Sequence, residues 1–96
     1  MPARPPSPRR GAYELAVGDV LRETRESLGM RRRDVAEAMG DDVTEGMVGF
    51  WERGESRVTT VMFMRVAIQA FGMKPVDMLA LVELKLLDQA DDRYWN

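Results

Sequence analysis

Apolar residues recur along this chain at intervals of three and four, and glycines interrupt the rhythm. The pattern predicts helices throughout, an all-α fold of five. From Tyr13 to Leu28, Val17, Leu21, Thr24 and Leu28 fall on one face with Val20 beside them. Glu14, Asp19, Arg22, Glu23, Arg25 and Glu26 fill the rest. Glu14 stands near the start, where the helix dipole favours an acid, and Gly29 ends the run. A shorter helix follows over Met30 to Met39. Its buried stripe is Val35, Ala36 and Met39, with Met30 packing at the entry.

Gly40-Asp41-Asp42-Val43 is a turn, and either aspartate is placed to assist capping. Thr44 caps a third helix, Val48 and Trp51 share its inner face, and Gly54 stops it. Two short helices about a tight turn suggest a helix-turn-helix, which lays its second helix in the DNA major groove. After a loop over 55–59, Thr60 caps a fourth helix with Val61, Met64, Ile68 and Phe71 as its core face. Met62, Phe63, Val66 and Ala70 are apolar too, so this helix is greasier than one small core requires. Gly72 stops it. Pro75 opens a fifth helix that runs to about Asp88 and is apolar nearly all round. It either lies centrally in its own domain or forms a subunit interface. Its terminal place favours the interface, with Met78, Leu81, Val82, Leu84, Leu86 and Leu87 facing a second copy.

Ninety-six residues allow one domain. The divisions are a basic tail over 1–12, a folded unit over 13–90 and a short tail over 91–96. With 45% hydrophobic and 31% charged residues, the composition is that of a globular protein. The formal net charge of -2 gives no global basic signature, so nucleic-acid binding depends on where positive charge is concentrated. There are no cysteines and no histidines, which removes disulfides, thiolate metal sites and the commonest general base. Nothing in the chain builds a nucleophile–base pair, a phosphate loop or a metal cluster, which argues against an enzyme, a metal or a cofactor. The N-terminus lacks the apolar stretch of a signal peptide and no apolar run spans a membrane, so a cytoplasmic protein is expected.

Two basic clusters remain. Pro2, Pro5, Pro6 and Pro8 with Arg4, Arg9 and Arg10 make either an untethered terminus or an arm that follows a DNA minor groove or the phosphates. Arg31, Arg32 and Arg33 occupy a helix N-terminus, where the dipole opposes positive charge by about 0.3–1 kcal/mol each. They are either solvated, with Asp34 and Glu37 offsetting the cost, or they contact phosphates. The surrounding motif favours phosphate.

From Val17 to Leu79 the chain resembles the Cro/C1-type (Xre-like) helix-turn-helix family of phage repressors and bacterial regulators. Leu21-Arg22-Glu23-Thr24-Arg25 is similar to the family's first-helix motif, and Leu28-Gly29-Met30, Val35-Ala36 and Gly40 to its second. Trp51-Glu52-Arg53-Gly54 matches the end of its recognition helix, and Thr60-Val61 and Phe71-Gly72-Met73 the ends of its fourth. The resemblance implies a compact five-helix, lambda-repressor-like domain with an extended apolar C-terminal helix. It implies a dimeric transcriptional regulator bound to double-stranded DNA. It also implies an ion pair between Arg25 and Glu52, tying the first helix to the third.

The departures bear on function. Arg31 and Arg32 replace the family's Ser or Thr and Gln, keeping phosphate capacity but losing the cap. Asp41 and Asp42 lengthen the turn by two residues and put negative charge close to where DNA would pass. The loop before the fourth helix is one residue longer, with Thr59 where Pro is common. The implied DNA-contacting positions hold Thr44, Glu45, Gly46, Met47, Gly49 and Phe50, joined by Arg31–Arg33, Arg53 and Arg57. Glu45 can accept from a cytosine amino group and Phe50 can touch a thymine methyl, whereas glycine reads nothing. The glycines also weaken the helix by about 1 kcal/mol each relative to alanine. DNA binding would therefore lean on phosphates, shape and dimer spacing. The alternative is a protein-interaction module, antitoxin-like or regulator-binding, that keeps the fold with reduced DNA reading. Its support is the acidic balance, Asp41, Asp42 and Glu45, and Phe50, Met62 and Phe63 as exposed apolar residues.

Overall fold

A computed structural model of the protein describes residues 11–88 and 93–95. Five helices lie among them: α1 (Ala12–Ser27), α2 (Arg32–Met39), α3 (Glu45–Glu52), α4 (Thr60–Arg65, running on into a π turn, Val66–Ala70) and α5 (Pro75–Leu87). α1 packs against α3 and α5, while α2 packs against α3 and the π turn. The basic arm expected over 1–12 lies outside the described residues except for Gly11 and Ala12. Ala12 is not tail: it is fully buried in the first turn of α1.

The buried face of α1 is Ala12, Ala16, Val20, Leu21 and Thr24. It is rotated from the expected stripe. Val17 is only half-buried, and Leu28 is exposed because it lies beyond the last helical residue. Gly18 also faces inward, with another backbone against it. A Cβ added to Gly18 would sit 2.5 Å from the carbonyl oxygen of Trp51.

α4 corrects the sequence reading most. Its buried residues are Phe63, Val66, Ala67 and Phe71, whereas Val61, Met64 and Ile68 are 68%, 45% and 57% exposed. The expected spacing assumed an uninterrupted α-helix. In the π turn, Phe71 N–H donates to Val66 O over five residues (3.1 Å), so each residue there rotates through less than in an α-helix. The lag brings Phe71 round to the Phe63–Ala67 side. The cap is Thr59, whose hydroxyl accepts from Met62 N–H at 3.1 Å; Thr60 is the first helical residue.

α5 begins at Pro75 as expected and is thirteen residues long. Met78 and Val82 point inward and are buried, and Leu86 packs beside them. Of the side chains expected to face a second copy, these three belong to the chain's own core. Leu81, Leu84 and Leu87 remain exposed, together with Val76 and Leu79. Beyond α5, the described part of the expected C-terminal tail folds back. Tyr94 is fully buried and its hydroxyl donates to Asp19, a buried carboxylate on α1 that also meets Arg22 at 3.4 Å and Arg93 at 3.2 Å. Trp95 Nε1 donates to the Asp88 carbonyl at 3.3 Å. No helix of the described residues is long and apolar enough to cross a membrane.

Candidate nucleic-acid interface

The α3 helix is fixed at both ends. The Thr44 hydroxyl accepts from Met47 N–H at 3.1 Å. At the other end Glu55 N–H donates to Phe50 O at 3.0 Å and Gly54 N–H to Trp51 O at 3.1 Å, which is a Schellman motif. The motif needs a left-handed residue, and Gly54 supplies it at φ 71°. Val48, Trp51 and Glu52 turn inward.

Glu52 holds the motif to the rest of the fold. Its side chain is 1% exposed and accepts from Arg25 Nε at 2.7 Å, Arg25 Nη2 at 3.1 Å and Arg32 Nε at 3.0 Å. Arg25 also donates to Met30 O at 3.0 Å. One carboxylate on α3 therefore joins α1 and the start of α2. The hydrogen bonds from Arg25 to Glu52 hold the guanidinium above its ordinary pKa against the opposing effect of burial. Such a cluster fixes geometry more reliably than it adds stability.

The three arginines of α2 have three different environments. Arg31 is the N-cap residue, and the lost cap is replaced from within the helix: Asp34 Oδ2 accepts from the Arg31 backbone N–H at 2.8 Å. The Arg31 guanidinium bonds the same carboxylate at 3.2 Å, which holds the Asp34 carboxyl below its ordinary range. Arg32 is engaged with Glu52. Arg33 is exposed and has no ion-pair partner among the described residues.

The acidic turn differs from its expected role. Asp42 caps nothing; it takes a bidentate contact from Arg65 of α4, at 2.8 and 3.2 Å. Arg65 also donates to Met39 O at the end of α2 (2.9 Å). The contact lowers the Asp42 carboxyl below its ordinary range and offsets its charge. Asp41 lies with Arg33, Glu37 and Glu45 along a shallow groove between α2 and α3.

On the outer side of α3, Thr44, Glu45, Gly46, Phe50 and Arg53 are exposed. Two residues expected beside them are not. Met47 is half-buried and packs on the core. Gly49 is buried beneath Arg53, whose Nη1 would lie 3.0 Å from an added Cβ. The Arg53 guanidinium stacks on the Phe50 ring, 5.2 Å from its centroid, and bonds Glu55 at 3.0 Å. Arg57 is held away by Glu14 near the start of α1, at 3.2 Å. Gly18, Arg65 and the Asp19–Tyr94 contact went unread in the sequence. A glycine inside an otherwise good helix was the one available signal, and it marks a close approach of the α1 and α3 backbones.

Comparison with known proteins agrees with this architecture. A family profile described as helix-turn-helix matches residues 21–75. Two solved structures of the clp gene regulator ClgR from Corynebacterium glutamicum are similar. One is 29% identical with a TM-score of 0.73, covering 81% of this chain and 80% of its own. The other is 28% identical with a TM-score of 0.72, covering 80% of this chain and 96% of its own. No curated protein sequence matches significantly.

Proposed function

The chain belongs to the helix-turn-helix family of Cro/C1-type, DNA-binding transcriptional regulators, and from that premise we propose that it binds double-stranded DNA as a homodimer, chiefly through phosphate contacts. The observation that carries the reading is the setting of α3. The helix is capped at both ends, pinned through Glu52, and presents Glu45, Gly46, Phe50 and Arg53 to solvent next to the start of α2. A helix so exposed fits a major groove. Of the four outward residues, Gly46 offers a base edge nothing, so Arg33, with Arg31 and Arg53, supplies most of the affinity. The dimer reading rests on Leu81, Leu84 and Leu87 of α5, with Val76 and Leu79 continuing the apolar surface.

The test is a fluorescence-anisotropy titration over a salt series, using duplexes from the protein's own locus. Affinity falling steeply with salt supports phosphate-based binding; no binding to any fragment at low salt refutes the reading. Sedimentation of wild type and Leu84→Asp tests the dimer. The expected result is a dimer mass that Leu84→Asp converts to a monomer, and a monomer mass in both refutes it. A second reading, a module that binds another protein, is favoured by one observation: the exposed stripe Val61, Met64 and Ile68 on the outer side of α4.

A further inference from the structure

We infer that Phe50 is the specificity-determining residue of α3, and that it reads the C5-methyl group of a pyrimidine in the major groove. The inference rests on the DNA-binding reading above and deepens it. Val48 and Trp51, apolar residues on either side of it in α3, are 2% and 4% exposed, whereas Phe50 is 48% exposed on the outer side. One face of the ring is covered. Arg53 stacks on it at 5.2 Å, Glu55 holds Arg53 at 3.0 Å, and Arg53 lies back over Gly49 because no side chain stands there. Gly46, one turn earlier, leaves open space, with nothing nearer its Cβ position than the Thr44 hydroxyl at 3.9 Å. On the Gly46 side a base edge can therefore approach the ring without meeting a side chain.

A phenyl ring neither donates nor accepts a conventional hydrogen bond. On the major-groove edges of the four base pairs, the one apolar group is the C5-methyl of thymine. Methylated cytosine carries the same group at the same position. Set against a purine N7 or a cytosine amino group instead, the ring would cover a polar atom and leave it unpaired.

The test begins with a pool of random-sequence duplexes selected on the wild-type protein at low salt. In the best duplex each thymine is replaced in turn by deoxyuridine, which removes only the methyl. In a second arm, cytosine and then 5-methylcytosine occupy the sensitive position. Wild type should lose about fourfold in affinity at one position per half-site, the effect of one buried methyl group. Phe50→Ala should bind thymine and uracil duplexes equally. A response in the first arm alone assigns the site to thymine; recovery with 5-methylcytosine shows that the methyl itself is read. No thymine-sensitive position, or equal sensitivity in Phe50→Ala, overturns the inference while leaving DNA binding intact. A pool that yields no retained duplex overturns both readings. Phe50 is half-exposed, so thermal melting should show Phe50→Ala folded.

Discussion

Replacing Gly18 by alanine pits helix propensity against packing within one methyl group. Propensity alone favours the substitution, because alanine in a helix interior is about 1 kcal/mol better than glycine. The packing opposes it. The new Cβ would lie 2.5 Å from Trp51 O, 2.7 Å from Glu52 O and 2.9 Å from Glu52 C. A carbon–oxygen contact needs about 3.3 Å, so α1 and α3 must separate by roughly 0.8 Å. These are backbone atoms and cannot rotate aside. The separation would loosen Trp51 and Val48 in the core and stretch the 2.7 Å contact between Arg25 and Glu52. Overpacking of this kind costs about 1–3 kcal/mol, and more when a buried ion pair moves with it. The net expectation is a loss of about 2 kcal/mol, or roughly 8–16 °C in Tm for a domain of this size. Circular-dichroism melts of wild type, Gly18→Ala and Gly46→Ala decide the matter. Gly46 has open space around it, so alanine there should raise the Tm by propensity alone. A Gly18→Ala protein as stable as wild type would refute the close approach of α1 to α3.

Three further outcomes are expected. Glu52→Gln should destabilise by about 3 kcal/mol in urea titration, because it leaves the partly buried Arg25 without its counter-charge. Arg33→Ala should leave the Tm unchanged and weaken binding to every duplex alike, lowering the slope of log affinity against log salt by about 1. Arg65 lowers the Asp42 carboxyl in the folded state, so the contact stabilises the fold above the unfolded carboxylate pKa and is lost as pH falls through the folded value. Asp42→Asn should therefore melt lower than wild type at neutral pH, with the two curves converging as the pH falls through the folded Asp42 carboxyl's lowered range. Parallel curves would show that the contact does not contribute.

The frame of the motif was legible because it depends on local rules. Thr44, Val48, Trp51 and Gly54 each do what a cap, an inner-face pair and a glycine stop do in any helix. Val35, Ala36 and Met39 were equally plain, since α2 has a single apolar stripe. α4 and α5 were not, because periodicity chooses a face only when the other face is polar. In α4, Phe63 and Val66 competed with Val61 and Met64, and the π turn then shifted the phase. In α5 the inward set of Met78 and Val82 was hidden among the other apolar residues. Contacts between distant residues had no local signal at all. Asp19 meets Tyr94, and Asp42 meets Arg65, through side chains whose pairing follows from the packed helices alone.

On the proposed reading, the same arrangement would let a chain of net charge -2 hold a phosphate backbone. Positive charge near α3 is mostly partnered, and the partners differ in how readily they yield. Arg33 has no ion-pair partner among the described residues and is available at once. The contacts from Arg31 to Asp34 and from Arg53 to Glu55 involve well-exposed arginines, and water screens surface pairs of that kind. A phosphate can take the place of those carboxylates at little cost. Arg32 is different, because releasing it would strip the 1% exposed Glu52 of one of its two partners. Contributions to DNA affinity should therefore fall in the order Arg33, then Arg31 and Arg53, then Arg32. The Arg31–Arg33 cluster, read in the sequence as solvated or phosphate-binding, divides into one ligand with no ion-pair partner among the described residues, one exchangeable ligand and one structural brace.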